Sequence, residues 1–260
     1  MKKMELHKQK LLAQMKLTNK LSIAEAKEIL NVSQSTVQRL FIDLEKTGMA
    51  IRCYGGIMLV PETAPEYLYE KTDACNIEQK RLIADIAVGM VDSGDTLYLD
   101  SGTTLCQFSL ALARRIKAGE LERLTVFTNS LVNFDALSNS NCPIILIGGE
   151  YRGHRKDFCG YVAEESLKIL NFNKCFLGTD GYDANLGFTT TDFATARLNE
   201  LVLKNTKKRF VLMDSSKFKS SAMVSYSKKA KVDGLFTDKI PTEDMVLHLK
   251  ECGIEVTVCN

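Results

Sequence analysis

The sequence predicts an N-terminal winged helix-turn-helix domain, followed by a larger Rossmann-like α/β domain. The first observation is charge: residues 1–60 contain 10 Lys or Arg and 5 Asp or Glu, whereas the rest of the chain contains 24 and 27. The second is a series of three helical patterns before a glycine turn in the first 60 residues. The third is an alternation of apolar runs and helical stretches beyond residue 77. A basic head on a slightly acidic body is typical of a small nucleic-acid-binding module attached to a larger domain.

Composition is typical of a cytoplasmic globular protein. The 260 residues are 45% hydrophobic and 25% charged, which leaves room for a sizeable core. No run approaches the roughly 18 apolar residues of a membrane helix, and the charged start of the chain does not resemble a signal peptide. The eight cysteines are scattered without a Cys-x-x-Cys pair, and there are three histidines. We therefore expect reduced thiols, no metal site and no cofactor.

The first two helices of the head follow from apolar spacing and capping residues. Helical spacing runs from Lys3 to about Leu17. A second helix begins after Ser22 and ends at Leu30, because Ser22 and Glu25 have the spacing of a capping box.

The third helix and the wing complete the predicted head. The helix begins after the N-cap Ser33 and ends before Gly48. Two short strands, Met49 to Arg52 and Ile57 to Val60, flank the glycine turn Tyr54 to Gly56. This order predicts a winged helix-turn-helix, with a three-helix protein-interaction module as the alternative.

In a winged helix-turn-helix the third helix lies in the major groove of DNA. Val37, Leu40 and Leu44 are expected to face the core, so the early polar residues face bases and phosphates. Gln pairs with adenine, and Arg pairs with guanine or a phosphate; an Arg in the wing adds salt-dependent affinity for the backbone. The predicted DNA-binding residues are Ser33, Gln34, Ser35, Thr36, Gln38, Arg39 and Arg52.

These residues carry a family resemblance. The segment Val32 to Arg39, followed by Asp43 to Gly48, Arg52 and Gly55-Gly56, resembles the DeoR family of bacterial transcription regulators. The resemblance implies binding to double-stranded operator DNA. The family usually carries Arg-Arg-Asp where this chain has Gln38-Arg39-Leu40, and His-Gly-Gly where it has Tyr54-Gly55-Gly56. These departures leave the operator sequence open and permit weakened DNA binding.

The remainder of the chain alternates helix and strand. Residues 61–76 contain Pro61 and Pro65 and are predicted to be a linker, followed by a helix from Ile77 to about Val91. Seven apolar runs follow: Thr96–Leu99, Leu124–Thr128, Ile144–Ile147, Lys174–Leu177, Arg209–Met213, Val232–Thr237 and Ile254–Val258. Helical stretches lie near 103–117, 130–138, 160–170, 191–204 and 242–252. The alternation predicts a largely parallel sheet covered on both faces, and the domains 1–60, 61–76 (linker) and 77–260.

Polar loops follow the predicted strands at the edge where ligands collect in such sheets. The run Asp100-Ser101-Gly102-Thr103-Thr104 comes after the first strand and enters a helix directly. Small hydroxyls, a glycine and free N–H groups at a helix N-terminus suit a phosphate. Other strands end in Thr128-Asn129-Ser130, Gly148-Gly149-Glu150, Gly178 to Gly181 and Asp214 to Lys217. Several such loops in one domain predict a shared polyol or phosphate pocket.

The same loops, together with Lys80 to Ala84, look like the sensor domain of the DeoR family and extend the resemblance over nearly the whole chain. That domain is similar in fold to ribose-5-phosphate isomerase, glucosamine-6-phosphate deaminase and CoA transferases. The resemblance implies a phosphorylated sugar or sugar alcohol as effector. The predicted effector-binding residues are Lys80, Asp100, Ser101, Gly102, Thr103, Thr104, Asn129, Gly149, Arg152, Asp214 and Lys217.

Some of these residues have alternative interpretations. Asp214 is either a ligand for sugar hydroxyls or the cap of the following turn, and Lys80 is either a cation of the pocket or a solvated helix residue. Lys217 and Arg152 are further candidate cations. His154 is expected to be an exposed loop residue without chemistry.

The sequence therefore predicts a transcriptional regulator and not an enzyme: a repressor of sugar-uptake or sugar-catabolism genes, controlled by a phosphorylated sugar. We expect a homo-oligomer, a dimer or a tetramer, whose heads contact repeated operator half-sites. The alternative is an isomerase or deaminase with a DNA-binding appendage, in which Asp214 and Lys217 transfer protons on a sugar phosphate. A protein-interaction adaptor would leave the wing and the strand-end loops unexplained.

Overall fold

The computed structural model describes residues 2–18, 20–46, 50–53, 56–59, 68–220, 222–227, 231–240 and 242–260. The chain divides into two compact units, Met1–Pro65 and Glu66–Asn260, and the division falls inside the predicted linker. Among the described residues, none of the helices has the length and apolar character needed to cross a membrane. No three His, Cys, Asp or Glu side chains among these residues are grouped to hold a metal ion.

The first unit contains three helices and three short strands within its described residues. They are α1 (Lys2–Thr18), β1 (Lys20–Ser22), α2 (Ile23–Leu30), α3 (Gln34–Lys46), β2 (Ala50–Cys53) and β3 (Gly56–Leu59). The helices bury one apolar face each in a common core that includes Leu11, Val37 and Phe41. This is the predicted winged helix-turn-helix, which confirms the fold class of the head.

The turn between α2 and α3 follows from the residues at the helix ends. Ser22 and Glu25 form the predicted capping box: the Ser22 hydroxyl accepts from the Glu25 N–H at 3.2 Å, and the Glu25 carboxylate accepts from the Ser22 N–H at 2.7 Å. Asn31 ends α2 in the left-handed conformation, with φ 48°. The Ser33 hydroxyl accepts from the Thr36 N–H at 3.4 Å and begins α3.

The sequence analysis missed β1, which pairs with β3 and places the wing in a three-stranded sheet with strand order β1-β3-β2. Three residues give no detectable alternation, so β1 forms only because β3 supplies hydrogen-bond partners. Gly56 is required at this crossing, since a Cβ there would lie 2.2 Å from the Leu21 carbonyl oxygen. The predicted residues Gly48, Met49, Tyr54 and Gly55 lie outside the described residues.

The second unit contains seven helices and twelve strands in its described part. The helices are α4 (Tyr69–Ala74), α5 (Ile77–Ala87), α6 (Thr103–Lys117), α7 (Leu131–Leu137), α8 (Tyr161–Lys168), α9 (Phe193–Lys204) and α10 (Glu243–Glu251). The strands are β4 (Thr96–Leu99), β5 (Thr125–Thr128), β6 (Ile144–Leu146), β7 (Glu150–Arg152), β8 (Asp157–Cys159), β9 (Phe172–Leu177), β10 (Gly181–Asp183), β11 (Gly187–Thr190), β12 (Thr206–Leu212), β13 (Val224–Ser225), β14 (Gly234–Thr237) and β15 (Glu255–Val258).

Seven parallel strands form the central sheet, in the order β15-β14-β12-β9-β4-β5-β6. They are the seven predicted apolar runs, and their all-parallel pairing confirms the α/β class. The chain moves from β4 to β5 and β6 on one side, then crosses to β9 on the other side of β4. The carboxyl ends of β4 and β9 therefore flank a topological switch point, where a crevice opens in such sheets.

Side chains alternate between the two faces of this sheet and fill two cores. Leu97 and Leu99 of β4 pack in one core and Tyr98 packs in the other. Phe210 of β12 likewise faces the first core, and Val211 faces the second. Where both faces are buried, as at residues 97–99 of β4 and 210–212 of β12, consecutive residues are apolar, and these runs make the strands visible in the sequence.

The antiparallel strands outside the central sheet and the helix α4 were not predicted. β7 and β8 form an antiparallel hairpin, and β10, β11 and β13 form a small antiparallel sheet. α4 lies in the segment predicted as linker and packs against α6. These strands are short and partly polar, and their conformation depends on tertiary contacts that local periodicity does not report.

Candidate functional site

A cavity that is partly open to solvent lies at the carboxyl edge of the central sheet. Its walls come from the loops that follow β4, β9 and β12, from the hairpin turn between β7 and β8, and from α4, α5 and α9. The lining residues are Thr72, Lys80, Asp100, Ser101, Gly102, Thr103, Thr104, Leu105, Arg155, Gly178, Thr179, Asp180, Thr190, Thr195, Leu212, Met213, Asp214 and Lys217. Eight of the eleven predicted effector residues are therefore in one lining.

The loop after β4 presents backbone N–H groups to this cavity. Gly102 is the N-cap of α6 with φ 119°, a conformation that favours glycine. The first backbone bond into α6 is from the Cys106 N–H to the Gly102 carbonyl. Within the described part of the chain, no group accepts from the N–H groups of Gly102, Thr103 or Thr104. Free N–H groups at the positive end of a helix dipole are suited to an anion.

Asp100 holds this loop in position. Its carboxylate accepts from the N–H groups of Ser101 at 2.7 Å and Gly178 at 3.1 Å, and from the Asn199 side-chain amide at 3.2 Å. These bonds join the loop after β4 to β9 and α9. Asp100 is almost fully buried, and burial raises its pKa to about 7 despite the three donors and Arg155. A neutral Asp100 also has a proton to donate.

Two lysines bring positive charge to the lining. Lys80 is only 2% exposed, so the interpretation as a solvated helix residue is wrong. Its ammonium donates to the carbonyls of Thr72 and Cys75, each at 2.5 Å. Burial lowers the pKa of Lys80, and the carboxylate of Asp214 partly offsets this effect. Lys217 is half-buried and makes no ion pair with any residue that the structure describes.

Asp214 caps the following turn, which is one of its two predicted roles, and it also lies in the cavity lining. Its Oδ1 accepts from the backbone N–H of Ser216 at 3.1 Å, from the hydroxyl of Ser216, and from the Asn76 side-chain amide at 3.0 Å. Asp214 thereby caps the 3-10 segment Ser215–Lys219, which carries Lys217. It also lines the cavity.

Three predicted effector residues lie outside the lining and make structural contacts within or beside the hairpin of β7 and β8. The Asn129 side chain accepts from the Tyr98 hydroxyl at 3.1 Å and donates to the Phe158 carbonyl at 3.0 Å. Gly149 allows close approach of the hairpin strands, since a Cβ there would lie 2.4 Å from the Cys159 carbonyl oxygen. Arg152 binds Asp157 through two nitrogens, each at 2.8 Å.

A buried charge network attaches the hairpin to the cavity. Asp157 is fully buried and also accepts from the Ser101 hydroxyl at 2.8 Å. Asp192 lies 2.7 Å from Arg152 and 3.5 Å from Arg155. Although burial raises the pKa of Asp192, the two guanidinium groups hold it below its ordinary value. Burial likewise opposes the charge of Arg152, but Asp157 raises the pKa of Arg152 above its ordinary value.

The sequence analysis missed seven polar or glycine residues of the lining: Thr72, Arg155, Gly178, Thr179, Asp180, Thr190 and Thr195. The loop Gly178 to Asp180 did carry a signal, because it follows an apolar strand and was noted as a strand-end loop. Arg155 follows no strand of the central sheet, and Thr72 lies in the segment predicted as linker. Neither residue therefore carried a sequence signal for a position in the cavity.

In the first unit, α3 exposes a polar face. Ser33, Gln34, Ser35, Gln38 and Arg39 are exposed and Thr36 is half-buried, while Val37 and Leu40 are buried as predicted. Arg39 makes no ion pair with any described residue. Arg52 lies in β2, and its side chain is outside the described part of the structure.

Comparisons with known proteins agree with this division of the chain. A model of the DeoR-like helix-turn-helix domain matches residues 8–63, and a model of the DeoR C terminal sensor domain matches residues 75–239. The lactose phosphotransferase system repressor of Lactococcus lactis subsp. lactis is 32% identical over 212 residues, which cover 81% of each chain. The HTH-type transcriptional regulator GlpR of Haloferax volcanii is 29% identical over 236 residues, which cover 90% of each chain.

A solved structure with a similar arrangement is ribose 5-phosphate isomerase A from Methanocaldococcus jannaschii. It is 21% identical, covers 55% of each chain and superimposes with a TM-score of 0.42. Both sequence relatives named above are transcriptional regulators, which is a non-enzymatic role.

Proposed function

This chain belongs to the DeoR family of transcriptional regulators, and from that premise we propose that it represses sugar-uptake or sugar-catabolism genes under control of a phosphorylated sugar or sugar alcohol. The observation that carries the proposal is the cavity, which combines the free N–H groups at the start of α6 with two lysines. The lactose phosphotransferase system repressor, a relative at 32% identity, is named for control of a sugar system.

The phosphate is assigned to the α6 end of the cavity. The N–H groups of Gly102, Thr103 and Thr104 are donors without a described acceptor, and hydroxyls of the same loop add further donors. Lys217 supplies a cation that no described carboxylate neutralises. A dianionic phosphate therefore gains charge-assisted hydrogen bonds here, while a neutral sugar does not.

The sugar hydroxyls are assigned to the acceptors that remain. Asp180 and the hydroxyls of Thr190 and Thr195 are in the same lining. Asp180 already accepts the protons of the Thr190 and Thr191 hydroxyls, so the Thr190 oxygen in the lining is oriented to accept from a polyol hydroxyl. Charged and hydroxyl groups outnumber apolar side chains in the lining, which favours a highly hydroxylated ligand.

DNA binding is assigned to the exposed face of α3, with Gln34, Ser35, Gln38 and Arg39 as its main polar groups. We expect two or more copies of the chain to present this helix to repeated half-sites of an operator. An effector that binds better to the DNA-free arrangement would release the operator, and its differential affinity sets the size of the response.

Catalysis by Asp214 and Lys217 is less well supported. Oδ1 of Asp214 accepts three hydrogen bonds that hold the turn carrying Lys217, a structural use of the carboxylate. The relatives that span most of the chain are named as regulators.

The test is a thermal-shift screen of the full chain against sugar phosphates and their unphosphorylated parents. A ligand that binds only the folded state raises the melting temperature by mass action. We expect a shift with a phosphorylated sugar in the parent and in Lys207→Gln, because Lys207 is exposed near the amino end of β12. We expect most of the shift to be lost in Lys217→Gln, because Lys217 lines the cavity in the 3-10 segment that follows the carboxyl end of the same strand.

Thr103→Asp provides a second probe, since it places a negative charge at the N-terminus of α6. Thr242→Asp is its control, because Thr242 is the N-cap of α10, does not line the cavity, and Asp also caps helices. Equal shifts in Lys217→Gln, Thr103→Asp and the two controls would remove the phosphate from this cavity.

A further inference from the structure

α4 forms part of the cavity wall, to which it contributes Thr72. It is the first helix of the second unit in chain order and follows residues 60–67, which come after the wing strand β3. Its first residue, Tyr69, is buried, and α4 packs against α6, but the N-cap Leu68 provides no side-chain cap. The groups that hold α4 come instead from elements that line the cavity.

Lys80 of α5 holds the carboxyl end of α4. Its ammonium donates to the carbonyls of Thr72 and Cys75 at 2.5 Å, and both Lys80 and Thr72 line the cavity. An ammonium has three protons, and two of them have described acceptors. The third is available to an anion, so Lys80 can bind a phosphate oxygen and α4 at the same time.

The turn between β7 and β8, residues 153–156, holds the amino end of α4. The His154 carbonyl accepts from the Tyr69 N–H at 2.9 Å. The Lys156 ammonium lies 3.0 Å from the Glu70 carboxylate and 5.1 Å from the centre of the Tyr69 ring. Between these two residues, Arg155 lines the cavity with 6% of its side chain exposed. A four-residue turn thus contacts the cavity through its third residue and α4 through the residues on either side.

The hairpin that carries this turn is anchored firmly enough to transmit a displacement. Arg152 and Asp157 pair at its base through two hydrogen bonds, and Asp157 accepts from Ser101 of the cavity loop. A ligand that restrains Arg155 therefore also restrains His154 and Lys156, since the base of the turn is fixed on both strands.

We propose that effector occupancy is transmitted from the cavity to α4 through Lys80 and the turn 153–156, so that a bound phosphosugar stiffens α4. The inference rests on the proposed function, because it assumes an anion in the cavity. Lys156 is a positioning residue in this device: it touches α4 and not the cavity lining. In this proposal, the change that ligand binding produces in the second unit is the stiffening of Tyr69–Ala74.

Hydrogen–deuterium exchange of the full chain tests this device, with peptides covering residues 68–76 and calorimetry measuring affinity separately. The probes are inorganic phosphate and ribose 5-phosphate. At saturation we expect exchange in 68–76 to slow about tenfold, because opening α4 must then break contacts that the ligand reinforces. In Lys156→Gln we expect the Kd to stay within about twofold of the parent, while this slowing falls to about twofold or less.

Lys168→Gln is the matched control: Lys168 also pairs with a carboxylate on the surface, but within α8. It should retain the full slowing. The charge-swapped double variant Glu70→Lys with Lys156→Glu should regain the slowing that Lys156→Glu alone loses, which a purely local structural defect would not do.

The outcomes separate this inference from the proposed function. Probe binding without slower exchange in 68–76, or slowing that persists in Lys156→Gln, overturns the transmission and leaves the effector site intact. If neither probe binds the parent, the proposed function loses its support, and Lys80→Met without ligand still decides whether the cavity lysine holds α4. If exchange in residues 68–76 is faster in Lys80→Met than in the control Lys168→Met, while β9 stays protected, the result supports the link between Lys80 and α4. Unchanged exchange in residues 68–76 overturns it.

Discussion

The helix α3 and the cavity of the second unit both present polar side chains, but these side chains differ in burial and in hydrogen bonding. On α3 the polar groups are exposed, and Arg39 has no ion-pair partner among the described residues. In the cavity, Asp100, Asp157 and Lys80 are buried and already hydrogen-bonded to their surroundings. A large polyanion can meet exposed groups from solvent, whereas a small ligand gains most from groups that are held in place without water.

This difference means that function and stability are separable on α3 and coupled in the cavity. Removing an exposed, unpaired side chain leaves no unsatisfied partner behind. Removing a buried charged residue leaves its partners with uncompensated charge, which costs several kcal/mol. Substitutions in the two regions therefore provide a direct test of the comparison.

Asp157→Ala should have the largest effect. It removes the carboxylate that binds Arg152 through two hydrogen bonds and lies 3.5 Å from Arg155. We expect a loss of about 3–5 kcal/mol in the free energy of unfolding, measured by urea denaturation. The control is Glu165→Ala, which breaks the surface pair with Lys168 and should cost less than about 1 kcal/mol. Similar small losses in both variants would contradict a buried, coupled network.

Arg39→Glu should have the next largest effect, and on DNA binding alone. We expect at least about 1–3 kcal/mol weaker binding to a duplex selected by the parent from a random library, because a phosphate or base contact becomes repulsive. The melting temperature and the response to sugar phosphates should not change. Lys239→Glu, the same reversal at an exposed lysine of the second unit, should bind the duplex like the parent. Parent-like binding by Arg39→Glu would instead mean that α3 is not the recognition helix.

The titration of Asp100 should have a smaller effect, which is a dependence of the free energy of unfolding on pH. Burial raises the pKa of Asp100 to about 7 in the folded chain, while an unfolded Asp titrates near about 3.9. The folded state therefore binds the proton more tightly. This group contributes stability that is fully present below about pH 4 and is lost as the pH rises through about 7.

The measurement is the difference in free energy of unfolding between the parent and Asp100→Asn, followed across this range. Between about pH 5.5 and 7 the parent should lose about 1–2 kcal/mol relative to the variant, which cannot titrate at this position. The amide that replaces the carboxyl group accepts fewer of the three donors, so the variant starts less stable, but the slope is the diagnostic quantity. Parallel curves for parent and variant would show that Asp100 stays ionised.

Prediction from sequence succeeded where one element alone determines the pattern. The capping box at Ser22, the buried positions Val37 and Leu40, and all seven strands of the central sheet follow from local spacing and apolar runs. The loop Ser101 to Thr104 also lies in the cavity as expected, because a polar loop between a buried strand and a helix has little freedom to point elsewhere.

The sequence did not predict which polar side chains line the cavity where this depends on contacts formed in the folded structure. Arg152 and Asn129 were assigned to the effector, but they lie outside the lining, and Asp157 and Tyr98 bind their polar groups. Arg155, three residues after Arg152, lines the cavity instead. Nothing in the local sequence distinguishes these two arginines, since the hairpin that orients them has strands of only three residues.

The sequence by itself determined the division into a basic winged helix-turn-helix and an α/β domain, the order of the parallel strands along the chain, and the polar loop that leads from β4 into α6. Apolar periodicity and helix caps depend on residues within one element, so they can be recognised without knowledge of the fold. Only the tertiary structure decided which polar residues face the cavity and that α4 is held by its lining. Those contacts join residues as distant as Ser101, Asp157 and Asp192, and their geometry exists only after the sheet and the hairpin have assembled.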